Sequence, residues 1–313
     1  MADDSLAVPT CPITGLPALR RIQWVASPLL IALWWVSFGV RTARQLRPVP
    51  RFSLWEAPCG LAFFDPRIAG DGQFYRDFYR RLGNVGPWTG APVERSDYQR
   101  AAALADPGEK ILDVGCGPAS FARLVPHAHY VGLEQNIAAR KIVADVRDET
   151  IAEHAAAHPG EYDVVCSFHV VEHIAEPVPF VADMIRCLRP GGRLVVAVPS
   201  WPSAFSEIPN FVPNAPPHHL TWWTEGALRA LAATLGLIVE SIETLPPSPA
   251  SSLLYWMARA APKLTGDRFF RDSWRWYGAL VWSWLAGRVC NALRRLPAQA
   301  HSFELLLVAR KPG

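Results

Sequence analysis

The sequence predicts an α/β fold, a doubly wound and largely parallel sheet, over residues 98–245. Three observations lead there. Apolar runs of four to seven residues recur, with helix-like stretches between them. The runs are continuous rather than alternating, as strands buried on both faces require. The first run ends in an acid and then turns through glycines, "KILDVGCGPAS" at 110–120, before the next apolar stretch begins.

Taken in order, the strands are KILDV (110–114), YVGLE (130–134), RKIVA (140–144), YDVVCSF (162–168), RLVVAVP (193–199) and LIVESIE (237–243). "ADMIRCLRPGG" (182–192) reads as a helix stopped by Pro190 and two glycines that lead into the next strand. "PPSPASS" is a linker, an aromatic and basic helical stretch follows to Leu296, and "SFELLLVARK" (302–311) reads as one more strand. Residues 1–97 are rich in Pro, Arg and aromatic side chains and show no strand–helix alternation. The chain therefore divides into an N-terminal extension (1–97), a core (98–245 with 300–313) and a helical insertion (246–299).

Composition bounds the function. Charged residues are only 19% and hydrophobic ones 50% of the 313, and the net charge of +3 is too small to suggest a nucleic-acid surface. Six cysteines are scattered without a disulfide framework, which fits a reducing, cytoplasmic setting. Residues 22–40 carry no charge over 19 positions, near the lower limit for a membrane span, but hold Gln23, Ser27, Pro28 and Ser37. They read as an apolar helix that is buried, or lies on a membrane surface, in preference to one that crosses. The stretch 259–295 sets eight Lys and Arg against Asp267 and Asp272, a local +6 interleaved with Trp and Phe. It is either a lid over a pocket or a face toward an anionic membrane.

A strand, glycine turn and apolar run can hold a triphosphate, a dinucleotide or S-adenosylmethionine. No GxxxxGK[ST] loop is present, and the third glycine of a GxGxxG fingerprint is replaced by Ser120. S-adenosylmethionine has no phosphate; its sulfonium, ammonium and ribose diol suit carboxylates. Asp113 at the strand end, with Gly115 and Gly117 for close backbone approach, fits that ligand. Glu134, 19 residues after Gly115 at the tip of the second strand, can accept both ribose hydroxyls, a feature shared with NAD enzymes. Asp145 stands where an adenine amino group could be reached, or is a solvated loop acid.

"ILDVGCGPASFARL", "YVGLEQN", "YDVVCSFHVVEH", "LRPGGRLVVAVPS" and "NAPPHHLTWWTEGALRALAATLGL", in this order, resemble class I S-adenosylmethionine-dependent methyltransferases of the ubiquinone/menaquinone-biosynthesis-like, small-molecule branch. The resemblance implies a Rossmann-like methyltransferase fold of seven strands, the last antiparallel, and S-adenosyl-L-methionine as cofactor. It places Gln135, Phe168 and His169 beside the cofactor along with Asp113, Gly115, Gly117, Glu134 and Asp145. Glu172 and His173 match the family's "EH" pair, a structural hydrogen bond under the pocket. One departure stands out: the third small position of the DxGxGxG turn is Ala119.

Methyl transfer needs alignment, exclusion of water and, for a hydroxyl or carbon acid, a base. His218 and His219, in a loop stiffened by Pro216 and Pro217, are the catalytic candidates, with Trp222 and Trp223 as walls for a hydrophobic acceptor. The alternative is that one His only bonds the start of the next helix. "CPITG" (11–15) and "EAPCGLAFFDP" (56–66) resemble halves of a zinc ribbon in which Thr14 and Glu56 replace two cysteines; no metal is expected. The sequence thus points to methylation of an O or C nucleophile on a small, lipid-like acceptor. Sugar or polyketide-type acceptors, and a non-catalytic membrane-associated protein on the same scaffold, are the rivals.

Overall fold

A computed structural model describes residues 7–85, 95–135, 145–247, 249–263, 268–297 and 303–313. Its strands are β1 (Arg20–Ala26), β2 (Arg51–Glu56), β3 (Ala62–Asp65), β4 (Lys110–Val114), β5 (His129–Leu133), β6 (Val146–Arg147), β7 (Tyr162–Phe168), β8 (Leu188–Pro199), β9 (Thr221–Trp222), β10 (Ile238–Thr244) and β11 (Glu304–Arg310). The helices are α1 (Ser27–Phe38), α2 (Ala43–Leu46), α3 (Gly72–Val85), α4 (Ser96–Ala102), α5 (Ile151–Ala157), α6 (Pro177–Cys187), α7 (Ala204–Glu207), α8 (Glu225–Thr234), α9 (Ser252–Ala260) and α10 (Trp274–Leu293).

Seven strands form one sheet in the order β10-β11-β8-β7-β4-β5-β6. The pairs β4–β5, β4–β7, β5–β6 and β7–β8 are parallel, and β11 enters antiparallel between β8 and β10. This is the expected sheet with its antiparallel last strand. The central strands are legible as continuous apolar runs because both their faces are covered: Leu112, Val165, Leu194, Val196 and Leu307 are fully buried. RKIVA (140–144) lies outside the described residues. α6 stops at Cys187, before Pro190, and β8 starts at Leu188 with a register shift over the Pro-Gly-Gly stretch.

The N-terminal part corrects two expectations. It does contain strands: β1, β2 and β3 form an antiparallel sheet that β9 from the core completes. The uncharged run 22–40 is not one helix, because its first residues are the strand β1 and the helix α1 begins only at Ser27. Pro28 sits in the first turn, where its missing N–H is harmless, and Gly39 (φ 64°) closes the helix with its N–H on the Trp35 carbonyl at 2.7 Å. Among the described residues no helix is long and apolar enough to cross a membrane. α1 instead buries Leu30, Leu33 and Trp34 completely, against Phe74 and Phe78 of α3. Each such side chain contributes about 1.5–3 kcal/mol by burial.

In the insertion, α9 and α10 pack side by side. Gly287 lets the Met257 backbone come close: a Cβ there would lie 2.9 Å from the Met257 nitrogen. Leu253, Leu254 and Met257 cover Ile208, Phe211 and Phe303. Phe269 and Phe270 fold back into the N-terminal core, where Gln23 binds the backbone of both.

Candidate functional site

In an open parallel sheet the loops beyond the carboxyl ends of the strands form the crevice that holds ligands. Here those ends are Asp113–Ala119 after β4, Glu134–Gln135 after β5, and His169–His173 after β7. β11 runs the opposite way, so its first residue, Glu304, lies at the same edge, paired with Pro199 at the end of β8.

The turn after β4 runs through two glycines with positive φ. Gly115 (φ 75°) cannot carry a side chain, since a Cβ would lie 2.5 Å from Val170 Cγ2. Gly117 (φ 53°) has nothing within 4 Å of such an atom and leaves the turn open to a ligand. Its N–H donates to Glu134 Oε2 at 3.0 Å, which joins the turn to the tip of β5. Ala119 holds the left-handed conformation (φ 53°) and is buried. Gln135 is exposed next to Glu134.

Asp113 lies beneath the turn, buried, and accepts from the Tyr130 hydroxyl at 2.8 Å. Burial pushes its carboxyl up to about 7, against the Tyr130 hydrogen bond and Arg95, which lower it. Asp145 is exposed, paired with Arg147 at 3.3 Å, and its carbonyl accepts from Gly132. Phe168 is buried between Tyr98 and Phe121, with ring centroids 4.8 and 5.0 Å away.

His169 adopts φ 58° and faces three carboxylates: Nε2 is 3.6 Å from both Asp97 and Glu304, and Nδ1 is 3.5 Å from Glu172. Burial opposes its charging, but Glu172 and Glu304 hold its pKa above the ordinary imidazole value. Asp97 is buried, which favours its neutral form, yet Arg95 donates to both its oxygens at 3.1 and 2.5 Å and holds the carboxyl low. Arg95 also lies 3.8 Å from the centre of the Tyr98 ring.

His218 and His219 come to the same edge on the 212–220 loop. Both are buried, and burial together with the neighbouring imidazoles lowers their pKa well below the ordinary value. Their rings stack at 4.5 Å, and the His173 ring stands 4.3 Å from His218 and 5.0 Å from His219. The N-terminal part covers them. Trp34 Nε1 donates to the Pro216 carbonyl at 2.9 Å, and Phe78 packs 4.7 Å from His218. Neither His caps α8, because Thr224 does so by accepting from the Ala227 N–H at 3.1 Å.

The two tryptophans are not walls of the crevice. Trp222 and Trp223 are buried in different cores, and their indole N–H groups donate to the Asn214 carbonyl and Thr221 Oγ1. Sequence reasoning missed Arg95, Asp97 and Glu304. Arg95 and Asp97 are neighbours at the start of α4, but Glu304 is distant in the chain and meets them only through the inserted β11, and no local pattern marks the group. In the ribbon-like segment Cys11 Sγ and Cys59 Sγ stand 3.7 Å apart, while Glu56 binds Arg20 at 2.7 Å and turns away from them.

The residues around the turn fit S-adenosylmethionine. An acid stands at the strand tip, the approach over Gly117 is open, and Arg95 at this edge is already engaged by Asp97 rather than offered to a phosphate. The sequence profile of a family described as "Methyltransferase domain" matches residues 93–242. The ubiquinone biosynthesis O-methyltransferase of Klebsiella pneumoniae subsp. pneumoniae is 33% identical over 99 residues, 28% of this chain and 41% of that protein. Its counterpart from Sodalis glossinidius is 35% identical over 96 residues, 30% of this chain and 34% of that protein. The chain thus spans less than half the length of these relatives. Among solved structures, the [4+2]-cyclase SpnF superposes with a TM-score of 0.51 at 18% identity, covering 78% of this chain and 98% of its own. A SAM dependent methyltransferase from Archaeoglobus fulgidus gives 0.50 at 17%, covering 74% and 100%. The two structures show the fold alone, and a cyclase among them is a reminder that a fold does not fix an activity. The family match and the ordered motifs carry the assignment: this chain contains, over residues 93–242, a methyltransferase domain of the class I S-adenosylmethionine-dependent family.

Proposed function

We propose that the protein transfers a methyl group from S-adenosylmethionine to an oxygen or carbon nucleophile of a small, hydrophobic acceptor. The observation that carries this reading is the Glu134–Gly117 contact, which sets a carboxylate at the strand tip beside an open glycine turn. When bound, the cofactor supplies an already activated methyl group, so the chain has to position, shield and deprotonate. Glu134 accepts from the ribose diol; Gly115 and Gly117 permit close backbone approach; Asp113 fixes the turn from below through Tyr130.

The acceptor enters between the glycine turn and the 212–220 loop, where His218 and His219 are the groups closest in chemistry to a proton acceptor. The aromatic rings of α1 and α3 behind them keep water out, and a ubiquinone-pathway name on the relatives supports a hydrophobic acceptor. The helices α9 and α10 cover the adjacent loop with one face. The other face of α10 exposes Trp274, Val281, Trp282, Leu285, Val289 and Leu293 beside the basic residues of this region. That face suits peripheral contact with an anionic membrane holding a lipid-like acceptor.

The test is transfer of label from methyl-labelled S-adenosylmethionine into a lipid and metabolite extract. Labelled product that depends on Glu134 supports the proposal. A protein that binds the cofactor but labels nothing in polar or apolar fractions would favour a non-catalytic role.

A further inference from the structure

Two groups of side chains among the described residues bring three metal-ligand atoms within 4.8 Å of one another: Asp97, His169 and Glu304, and His173, His218 and His219. The first group is already balanced in charge, with Arg95 on Asp97 and the His169 ring between the carboxylates. The second is not balanced in hydrogen bonding.

His173 Nδ1 lies 2.8 Å from the His218 carbonyl, and His218 Nδ1 lies 2.8 Å from the Pro213 carbonyl. A carbonyl only accepts, so each Nδ1 carries the proton and each Nε2 holds a lone pair. His219 Nδ1 is directed at Asn214 Oδ1 at 3.0 Å in the same way. An imidazole whose Nδ1–H is fixed by a carbonyl or amide oxygen is the arrangement that orients a metal ligand.

The neighbour of these nitrogens is Glu172, 1% exposed, with both carboxylate oxygens lacking a hydrogen-bond partner. Its Oε1 stands 3.8 Å from His173 Nε2 and 4.0 Å from His219 Nε2. His218 Nε2 is likewise buried without a partner. His169 Nδ1 also stands 3.5 Å from Glu172 Oε1, but the Nε2 lone pairs of His173 and His218 belong to the same buried cluster as this carboxylate, an arrangement that a positive centre between them would stabilise. We propose that His173, His218, His219 and Glu172 bind one borderline divalent transition cation, of which zinc is the type.

The chemistry selects the ion. Imidazole nitrogens suit zinc, cobalt(II) or nickel(II) better than magnesium or calcium, and one carboxylate leaves a net single positive charge. Metal–nitrogen bonds of about 2.1 Å require ligand atoms about 3.4 Å apart in a tetrahedron, so the three rings, whose ligand atoms lie within 4.8 Å of one another, and Glu172, 3.8 and 4.0 Å from two of them, must draw in. Rotation about the side-chain bonds, with the Nδ1 hydrogen bonds as pivots, provides that closure. Binding itself does not depend on the acceptor. Only the use of the ion rests on the methyl-transfer reading: it would lower the pKa of an acceptor hydroxyl, and His218 and His219 would act as ligands rather than as bases.

The experiment uses full-length protein stripped with a chelator and shown to bind S-adenosylhomocysteine, then titrated with cobalt(II) and, separately, zinc. One equivalent should bind, with visible cobalt bands of a four- or five-coordinate nitrogen and oxygen site and no thiolate charge-transfer band. His218→Ala and Glu172→Gln should each abolish the bands. Asn214→Ala, which removes only the oxygen facing His219, should weaken affinity about 10- to 100-fold. S-adenosylhomocysteine binding should persist in these variants, which separates lost ligands from lost fold. Cys11→Ser with Cys59→Ser should leave the bands unchanged. Protein that binds S-adenosylhomocysteine but takes up no cobalt or zinc, or whose metal is lost in the double cysteine variant, overturns the proposal and leaves the methyltransferase reading standing.

Discussion

The carboxylate of Glu134 accepts a hydrogen bond from the Gly117 N–H at 3.0 Å, so the tip of β5 and the glycine turn after β4 are one unit. In the proposed function this acid is the group that receives the ribose of the cofactor over the turn. Glu134→Ala should therefore remove charge-assisted hydrogen bonds to the diol, each worth about 1.5–3 kcal/mol. Calorimetry with S-adenosylhomocysteine should show affinity at least about tenfold weaker, while Glu109→Ala, remote from the turn, should match wild type. Equal affinity in Glu134→Ala would mean that the ribose lies elsewhere.

Ala119 occupies the left-handed region at the third small position of the turn. An L-residue there bears about 1–2 kcal/mol of strain, whereas added glycine freedom in the unfolded chain takes back about 0.4–1 kcal/mol. Ala119→Gly should accordingly stabilise the fold by up to about 1 kcal/mol, read as a higher denaturation midpoint with an unchanged slope. A clear loss of stability would show that the methyl group is needed for packing beneath the turn.

Asp113 should impose a pH dependence on the unliganded protein. Burial raises its carboxyl to about 7 in the folded state from the ordinary value of 3.8. Between these values the native state holds a proton that the unfolded state has released, so stability falls as pH rises through that window. Asp113→Asn should flatten this part of the curve in denaturation measured at pH 5 and pH 7. An unaltered slope would assign the dependence to other groups.

The outer face of α10 leads to a prediction about location. Each Lys or Arg near an anionic surface contributes about 1 kcal/mol, and exposed tryptophans favour the headgroup boundary. Flotation with anionic liposomes should recover the protein at low salt and progressively less as salt rises. Trp282→Glu with Leu285→Glu should abolish recovery without changing cofactor binding. Protein that stays in the soluble fraction at low salt would leave α9 and α10 as a lid alone.

How much could be read in advance depended on how locally each feature is encoded. β4, β7 and β8 were legible because a strand covered on both faces must be apolar throughout, and the glycine turn because a side chain at Gly115 would strike Val170. β1 was not, since "RRIQWVA" mixes charge with apolar residues and its pattern is broken by a register shift between Arg21 and Gln23. Its sheet is completed by β9, two residues from the other end of the site, a pairing that no local sequence signal records. Trp222 and Trp223 misled for a related reason. Large rings in a Pro-rich loop look like a pocket wall, but here they anchor that loop in the cores on either side. The approach of Glu172 and His173 to His218 and His219 was invisible, because only the meeting of the β7 end with the 212–220 loop creates it.

Thermal unfolding of the purified protein with nucleotide ligands shows whether the class I site takes S-adenosylmethionine. A ligand that binds only the native state raises the midpoint by mass action, by about 2.7 kcal/mol at one hundred times its dissociation constant. S-adenosylmethionine and S-adenosylhomocysteine should each raise it, in a manner lost in Glu134→Ala, while NAD and ATP at the same concentration leave it unchanged. A shift with NAD or ATP and none with S-adenosylhomocysteine would mean that the site holds another nucleotide.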